Sequence, residues 1–296
     1  MARVLEALEG SPGMESMSLA ALRASMAPLP MALRTPVGKV RDLMAGERPA
    51  RLYEPAERKD DALILFFHGG GFVLGSIETH DHVARDLCAT SGCRVLSADY
   101  RLAPEFPFPA APDDCLSVWL WVQDNAGALD VDPARVFLAG DSAGGNLALV
   151  TALRLRDGGR PMPSALMLAY PVTDYHTPPT ASYIENAEGY SLTRAAMIRF
   201  WADYLPDPAD AALPYASPLR ADTFAGFPPT LVLTAQFDPL RDEGTALADR
   251  LKSDDVLITH IRHEGLIHGF LRMGSVSIRA RQAFDAIADW IASLRL

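Results

Sequence analysis

A serine with the surroundings of an activated nucleophile lies at position 142, within the sequence GDSAG of residues 140–144. The pattern G-x-S-x-G places a serine at the sharp turn between a strand and a helix, where glycines are needed because side chains would collide with nearby backbone. Residues 135–139 have the pattern of a strand and residues 145–156 that of a helix, so the required flanking elements are present. The motif predicts that Ser142 attacks a carbonyl carbon and forms a covalent acyl intermediate.

A second glycine-rich segment, HGGGF at residues 68–72, follows another predicted strand. Attack on an ester carbonyl places negative charge on its oxygen, and preorganised amide groups stabilise that oxyanion. We assign the amides of Gly70, Gly71 and Ala143 to this role. A flexible loop or a phosphate-binding turn is the alternative, but the Walker lysine is absent and the pattern G-x-G-x-x-G does not occur in this segment.

The serine hydroxyl needs a base that accepts its proton, and histidine is the usual one. Seven histidines are present. His260 and His263 fall within or at the end of a predicted strand, where packing is their expected role. His268 instead follows the last predicted strand, in a loop before the final helix, and triads at such strand-to-helix turns occur in the chain order serine, acid, histidine. We therefore predict that His268 is the base.

Two aspartates compete for the role of the carboxylate that orients this histidine. Asp238 follows the predicted strand of residues 230–235 and so lies at the carboxyl end of the sheet. Asp242 falls where the next helix should begin, and a carboxylate there usually interacts with free helix amides and the helix dipole. We predict that Asp238 is the acid. Asp141, next to the nucleophile, is expected to accept hydrogen bonds from nearby loops.

The elements that must position these residues alternate along the chain from about residue 60. Short apolar or β-branched runs alternate with stretches of helical periodicity, which is the pattern of a mostly parallel central sheet flanked by helices. In the last helix, apolar side chains recur at three-and-four spacing, so this helix should close the sheet. The predicted strands cover residues 63–67, 94–98, 135–139, 165–170, 230–235 and 256–262.

Two segments interrupt this alternation, residues 1–45 and residues 177–218. Connections as long as the second usually form lids or binding segments. Within it, Thr193 is expected to cap a helix that has an aromatic and apolar face. Three aromatic residues are candidates for a substrate pocket, with ordinary packing in the core as the alternative for each: Phe72, Tyr183 and Trp201.

The composition excludes several classes of partner. The 296 residues carry a formal net charge of -10, which would repel phosphate backbones, so no nucleic acid is expected. No apolar run approaches the roughly 20 residues needed to span a membrane, and the acidic N-terminus lacks the features of a secretory signal, which favours a cytoplasmic location. The three cysteines lack paired spacing, so neither disulfides nor a zinc site are expected, and no cofactor is predicted.

Five motifs, HGGGF, DYRLAPE, GDSAGG, DPLRDE and HGF, occur in this order, and together they resemble the bacterial hormone-sensitive lipase family of α/β-hydrolases, in its GDSAG branch. The resemblance extends from about residue 50 to the C-terminus. It implies an α/β-hydrolase fold and the triad Ser142, Asp238 and His268. It further implies hydrolysis of small-molecule esters with short or medium acyl chains.

The same resemblance carries expectations about the domains. It implies that residues 99–105 support the oxyanion loop, which is residues 68–72. It implies a catalytic domain of residues 46–296, over which residues 1–45 and the insertion 177–218 form a helical cap. Members of the family are often dimers, so a homodimer is an expectation that the residues themselves do not test.

The resulting hypothesis is a serine carboxylesterase that acts through an acyl-enzyme on Ser142. A triacylglycerol lipase or an amidase with the same triad is the nearer alternative, since the cap decides which substrate enters. The more distant alternative is a noncatalytic small-molecule binding protein, as in the plant gibberellin receptors that resemble this family. The presence of His268 argues against that alternative.

Overall fold

The computed structural model describes residues 13–59 and 61–294. The first twelve residues of the predicted N-terminal cap segment therefore lie outside the described part of the chain. The described residues contain one large sheet with helices on both faces, as predicted for an α/β fold.

The sheet has eight strands in the order β1-β2-β4-β3-β5-β6-β7-β8. β1 pairs antiparallel with β2, and β2 pairs antiparallel with β4, whereas the remaining neighbours pair parallel. All six strands predicted from the sequence are present. The strands are β1 (Lys39–Ala45), β2 (Arg48–Glu54), β3 (Leu63–Phe67), β4 (Arg94–Ala98), β5 (Val136–Asp141), β6 (Ala165–Ala169), β7 (Thr230–Phe237) and β8 (Ile258–Ile267).

The two N-terminal strands were not predicted, and they correct one expectation. Residues 39–45, which the sequence analysis assigned to the N-terminal cap segment, form β1 at the edge of the central sheet. Charged and exposed side chains interrupt β1, so it lacks the continuous apolar run that marks a strand covered on both faces.

Helices cover the sheet on its two faces. Along β3, Leu63, Leu65 and Phe67 belong to one apolar cluster, whereas Ile64 and Phe66 belong to the other, as the alternation of side chains in a strand requires. The helices are α1 (Leu19–Ser25), α2 (Ile77–Ser91), α3 (Ala110–Asp124), α4 (Ala126–Leu129), α5 (Ala143–Asp157), α6 (Ala181–Glu185), α7 (Arg194–Tyr204), α8 (Arg241–Ser253) and α9 (Ile278–Ser293).

The final helix and the predicted helix of the long insertion both form as expected. In α9, one face that includes Phe284, Ile287 and Ile291 is buried against the sheet. In α7, the Thr193 side chain accepts a hydrogen bond from the amide of Ala196 and so caps the first turn.

The described part of the chain contains no helix that is both long enough and apolar enough to cross a membrane. The three cysteines, Cys88, Cys93 and Cys115, are buried thiols rather than disulfide partners.

Candidate active site

The turn between β5 and α5 holds Ser142 in an unusual backbone conformation. Its φ is 55° and its ψ is -120°, which places a non-glycine residue in a region that is sparsely populated. The neighbouring glycines permit this turn: a Cβ atom on Gly140 would lie 2.2 Å from the carbonyl oxygen of Gly144, and one on Gly144 would lie 2.0 Å from that of Phe67. The tight turn therefore requires both glycines of the motif.

The structure brings together the three residues predicted as a triad. His268 Nε2 lies 2.9 Å from Ser142 Oγ, and His268 Nδ1 lies 2.8 Å from Asp238 Oδ2. Asp238 is fully buried just after β7, and its other oxygen accepts a hydrogen bond from the amide of Leu240. With Nδ1 donating to the carboxylate, Nε2 is left to accept the serine proton.

The rival residues have other partners. The Asp242 carboxylate, in the first turn of α8, accepts a hydrogen bond from the amide of Ser182 at 2.7 Å. His260 contacts the hydroxyl of Thr234 within the sheet. His263 packs against the ring of Phe270. The Ser142 hydroxyl thus pairs with His268 rather than with either of these histidines.

The oxyanion loop makes a tight turn beside the serine. Gly70, Gly71 and Phe72 all have positive φ, and the carbonyl of Gly70 accepts hydrogen bonds from the amides of Val73 and Leu74. Among residues 13–59 and 61–294, no hydrogen bond from the amides of Gly70, Gly71 or Ala143 is found. Ala143 is the first residue of α5, so its amide lacks a partner within the helix. None of these three amides is therefore committed to an acceptor within the described part of the chain.

Residues 99–105 contact the oxyanion loop through hydrogen bonds to its backbone. The amide of Ala103 donates to the carbonyl of Phe72 at 2.9 Å, and the hydroxyl of Tyr100 donates to the carbonyl of His68 at 2.8 Å. The ring of Tyr100 also stacks on that of His68, with centroids 4.4 Å apart. These contacts agree with the supporting role that the family resemblance implies.

Asp141 fixes the start of the same loop. Its Oδ1 accepts a hydrogen bond from the amide of Gly69 at 2.8 Å, as expected of a structural acceptor. Burial opposes ionisation of this carboxyl, but nearby His80 and the Gly69 amide hold its pKa below the ordinary value. Burial lowers the pKa of His68 to about 3, so that imidazole is neutral at pH 7. A buried carboxylate therefore lies next to the nucleophile in the chain and is hydrogen-bonded to the start of the oxyanion loop.

The sequence analysis did not identify two buried residues that lie near the site, Tyr170 and Glu243. The ring of Tyr170 packs edge-on against His268 with centroids 4.8 Å apart. Glu243 accepts a hydrogen bond from the amide of Thr173 at 2.7 Å, and burial raises the pKa of its carboxyl well above the ordinary value. No local pattern marks either residue, because each acquires its surroundings from a different strand or loop.

The candidate pocket residues occupy two places. Phe72 lies beside Trp201, with ring centroids 5.9 Å apart, and stacks on Tyr204 at 3.8 Å. Tyr183 lies on α6, which is fixed next to the acid: the side chain of Asn186 donates to the carbonyl of Asp238 at 3.3 Å. All three candidate side chains are almost completely buried, which is also what ordinary packing requires.

The described N-terminal segment and the long insertion contact each other beside the oxyanion loop. The Arg199 guanidinium, on α7, donates to the carbonyls of Met14 and Met17. Arg23, on α1, donates to the carbonyl of Val73 at 3.0 Å. A Cβ atom on Gly71 would lie 2.4 Å from the ring of Phe200, so α7 packs directly on the oxyanion loop.

A mostly parallel sheet with a serine at its strand-to-helix turn defines the class of α/β hydrolases. Comparison with known protein families supports the same class. The model of the alpha/beta hydrolase fold family matches residues 64–272. The chain therefore belongs to this family, and the resemblance to its hormone-sensitive lipase group is confirmed.

Three relatives show how far the similarity extends. An arylesterase of Saccharolobus solfataricus is 38% identical over 245 residues, which cover 80% of this chain and 79% of the relative. The carboxylesterase NlhH of Mycobacterium tuberculosis is 39% identical over 242 residues, which cover 79% and 75%. The solved structure of an esterase from Pyrobaculum calidifontis is 39% identical, with a TM-score of 0.93 over 99% of this chain and 98% of that one.

Proposed function

We propose that this protein is a serine carboxylesterase that hydrolyses carboxylic esters of short to medium acyl chain length through an acyl-enzyme on Ser142. The observation that carries the proposal is the continuous series of hydrogen bonds from Asp238 through His268 to Ser142, at 2.8 and 2.9 Å. The similarity to proteins named arylesterase and carboxylesterase supports the same reaction.

The first half of the reaction transfers the acyl group to the enzyme. His268 Nε2 accepts the hydroxyl proton as Ser142 Oγ attacks the ester carbonyl carbon, and Asp238 stabilises the imidazolium that forms. The carbonyl oxygen becomes an oxyanion, to which the amides of Gly70, Gly71 and Ala143 donate. The imidazolium then gives its proton to the departing alkoxide, and the alcohol leaves.

The second half returns the enzyme to its starting state. His268 removes a proton from water, which attacks the acyl carbon, and the same amides stabilise the second oxyanion. The ester bond to Ser142 breaks, the hydroxyl regains a proton from His268, and the carboxylic acid leaves. Each step uses protein groups and water.

The substrate range depends on the segments beside the serine. The contacts of Arg199 and Arg23 support the view that residues 13–38 and 177–218 act as a cap. Phe72 packs beside Trp201, and Phe200 packs on Gly71, so aromatic side chains of α7 cover the oxyanion loop.

The test is hydrolysis of p-nitrophenyl esters from acetate to palmitate by the wild type and by Ser142→Ala. We expect the wild-type rate to be highest for short chains and the variant to lose at least about 10³-fold in kcat at every length. Circular dichroism and thermal unfolding would establish that the variant is folded. A rate that survives in folded Ser142→Ala would contradict the proposal, and a maximum at palmitate would favour a lipase.

A further inference from the structure

Tyr170 lies at the carboxyl end of β6, between the two loops that form the site. It is 1% exposed and has a φ of 38°, in the left-handed region that non-glycine residues rarely adopt. Its amide donates to the carbonyl of Leu233 at 2.6 Å, so its backbone is fixed between β6 and β7. Strained backbone conformations of this kind cluster at active sites.

The Tyr170 hydroxyl contacts both neighbouring loops. It accepts a hydrogen bond from the amide of Leu271 at 3.3 Å, in the segment that follows His268. It also faces Asp141 Oδ2 at 3.5 Å, close enough for a long hydrogen bond to that carboxylate. Burial raises the pKa of this phenol well above its ordinary value, so the hydroxyl keeps the proton that it donates.

The ring of Tyr170 adds a third contact. It packs edge-on against the imidazole of His268 and against the ring of Phe270, with centroids 4.8 Å apart in both pairs. Asp141 also accepts a hydrogen bond from the amide of Gly69, at the start of the oxyanion loop. Tyr170 therefore connects the segment that carries His268 with the carboxylate that fixes this loop.

We propose that Tyr170 is a positioning residue for ester hydrolysis: its hydroxyl joins the His268 segment to Asp141, which keeps the imidazole aligned with the serine and the leaving group. Tyr170 does not touch the reacting atoms. It acts through His268, and the inference rests on the carboxylesterase function proposed above.

Replacement by phenylalanine removes the hydroxyl and keeps the ring. Loss of the hydroxyl should misalign the His268 imidazole. The misaligned imidazole should then transfer its proton less well to the departing alkoxide, and the effect should be largest for esters whose alkoxide cannot leave without that proton. We therefore expect Tyr170→Phe to lower kcat/KM about 5-fold for p-nitrophenyl acetate, whose leaving group needs little protonation, and about 30-fold for ethyl acetate. Titration with a p-nitrophenyl phosphonate would express each rate per reactive serine.

Tyr53→Phe is the matched control. Tyr53 is also a buried tyrosine whose hydroxyl donates to a buried carboxylate, that of Asp81 at 2.9 Å, but it lies on β2, away from the triad. We expect this variant to lose comparable stability and to keep the wild-type kcat/KM for both esters. An equal loss for both esters in Tyr170→Phe, or no loss relative to Tyr53→Phe, would overturn the inference.

A double-mutant cycle tests the connection to Asp141. If the hydroxyl acts through this carboxylate, Asp141→Asn should reduce kcat/KM less in the Tyr170→Phe background than in the wild type. Additive losses would overturn the coupling. Failure of the proposed function would be distinct, because the wild-type chain itself would then show no serine-dependent hydrolysis of either ester.

Discussion

The two aspartates that compete for the acid's role differ in what their carboxylates contact. Asp238 accepts from His268, whereas Asp242 accepts from a backbone amide on α6. Asp238→Asn should favour the wrong imidazole tautomer and reduce kcat about 10⁴-fold without unfolding the protein. Asp242→Asn, four residues away, is the control and should change kcat less than about 5-fold. Steady-state kinetics with p-nitrophenyl acetate would decide, and the reverse order of effects would assign the acid to Asp242.

The three residues that the structure joins by hydrogen bonds as a candidate triad could be singled out because each follows a recognisable strand and belongs to a short motif. Tyr170 could not, because its role depends on contacts with Asp141 on β5 and Leu271 after β8. Sequence spacing does not show which side chains meet at the end of a sheet when they come from separate strands. His80 is a similar case: it lies on α2, yet its Nε2 is 3.7 Å from Asp141 Oδ1.

The close approach of α5 to β3 depends on one glycine, Gly144. A Cβ atom on Gly144 would overlap the carbonyl oxygen of Phe67, which is backbone and has little freedom to move. Gly144→Ala should therefore destabilise the protein by about 3 kcal/mol and displace the serine turn. Gly127→Ala is the control, because no atom lies within 4 Å of the added carbon. Thermal unfolding of both variants would test this, and equal Tm values would contradict it.

Five of the six strands that the sequence predicted, β3 to β7, are buried over all or most of their length, and apolar residues occupy consecutive positions in them. All five residues of β3 and all six of β5 are buried. The strands that it missed, β1 and β2, lie at one edge, where charged residues alternate with apolar ones. β8, at the other edge, extends five residues beyond the predicted end at residue 262, through a segment that contains a positive-φ glycine, Gly265. Edge strands carry a weaker pattern because solvent tolerates polar side chains there.

Buried histidines make the stability of the folded protein depend on pH. His82, on α2, is 4% exposed, and its Nε2 contacts the carbonyl of Arg272 at 3.3 Å. Burial, together with the nearby positive charge of Arg272, lowers its pKa from 6.5 to about 4. Between these two values the unfolded chain binds a proton that the folded chain does not. The stabilisation is therefore complete above pH 6.5 and is lost as the pH falls towards 4.

His82→Gln removes this titrating group. The unfolding free energy of the variant should therefore fall less steeply than that of the wild type as the pH is lowered. Between pH 7.5 and pH 5, the wild type should lose about 2 kcal/mol more of its unfolding free energy than the variant loses. Glu243 acts in the opposite direction, because its raised pKa gives the folded state a proton that is lost as the pH rises. The difference between variant and wild type isolates His82, since both chains contain Glu243. Urea denaturation at the two pH values would measure it, and parallel losses would mean that burial does not lower the pKa of His82 in the folded protein.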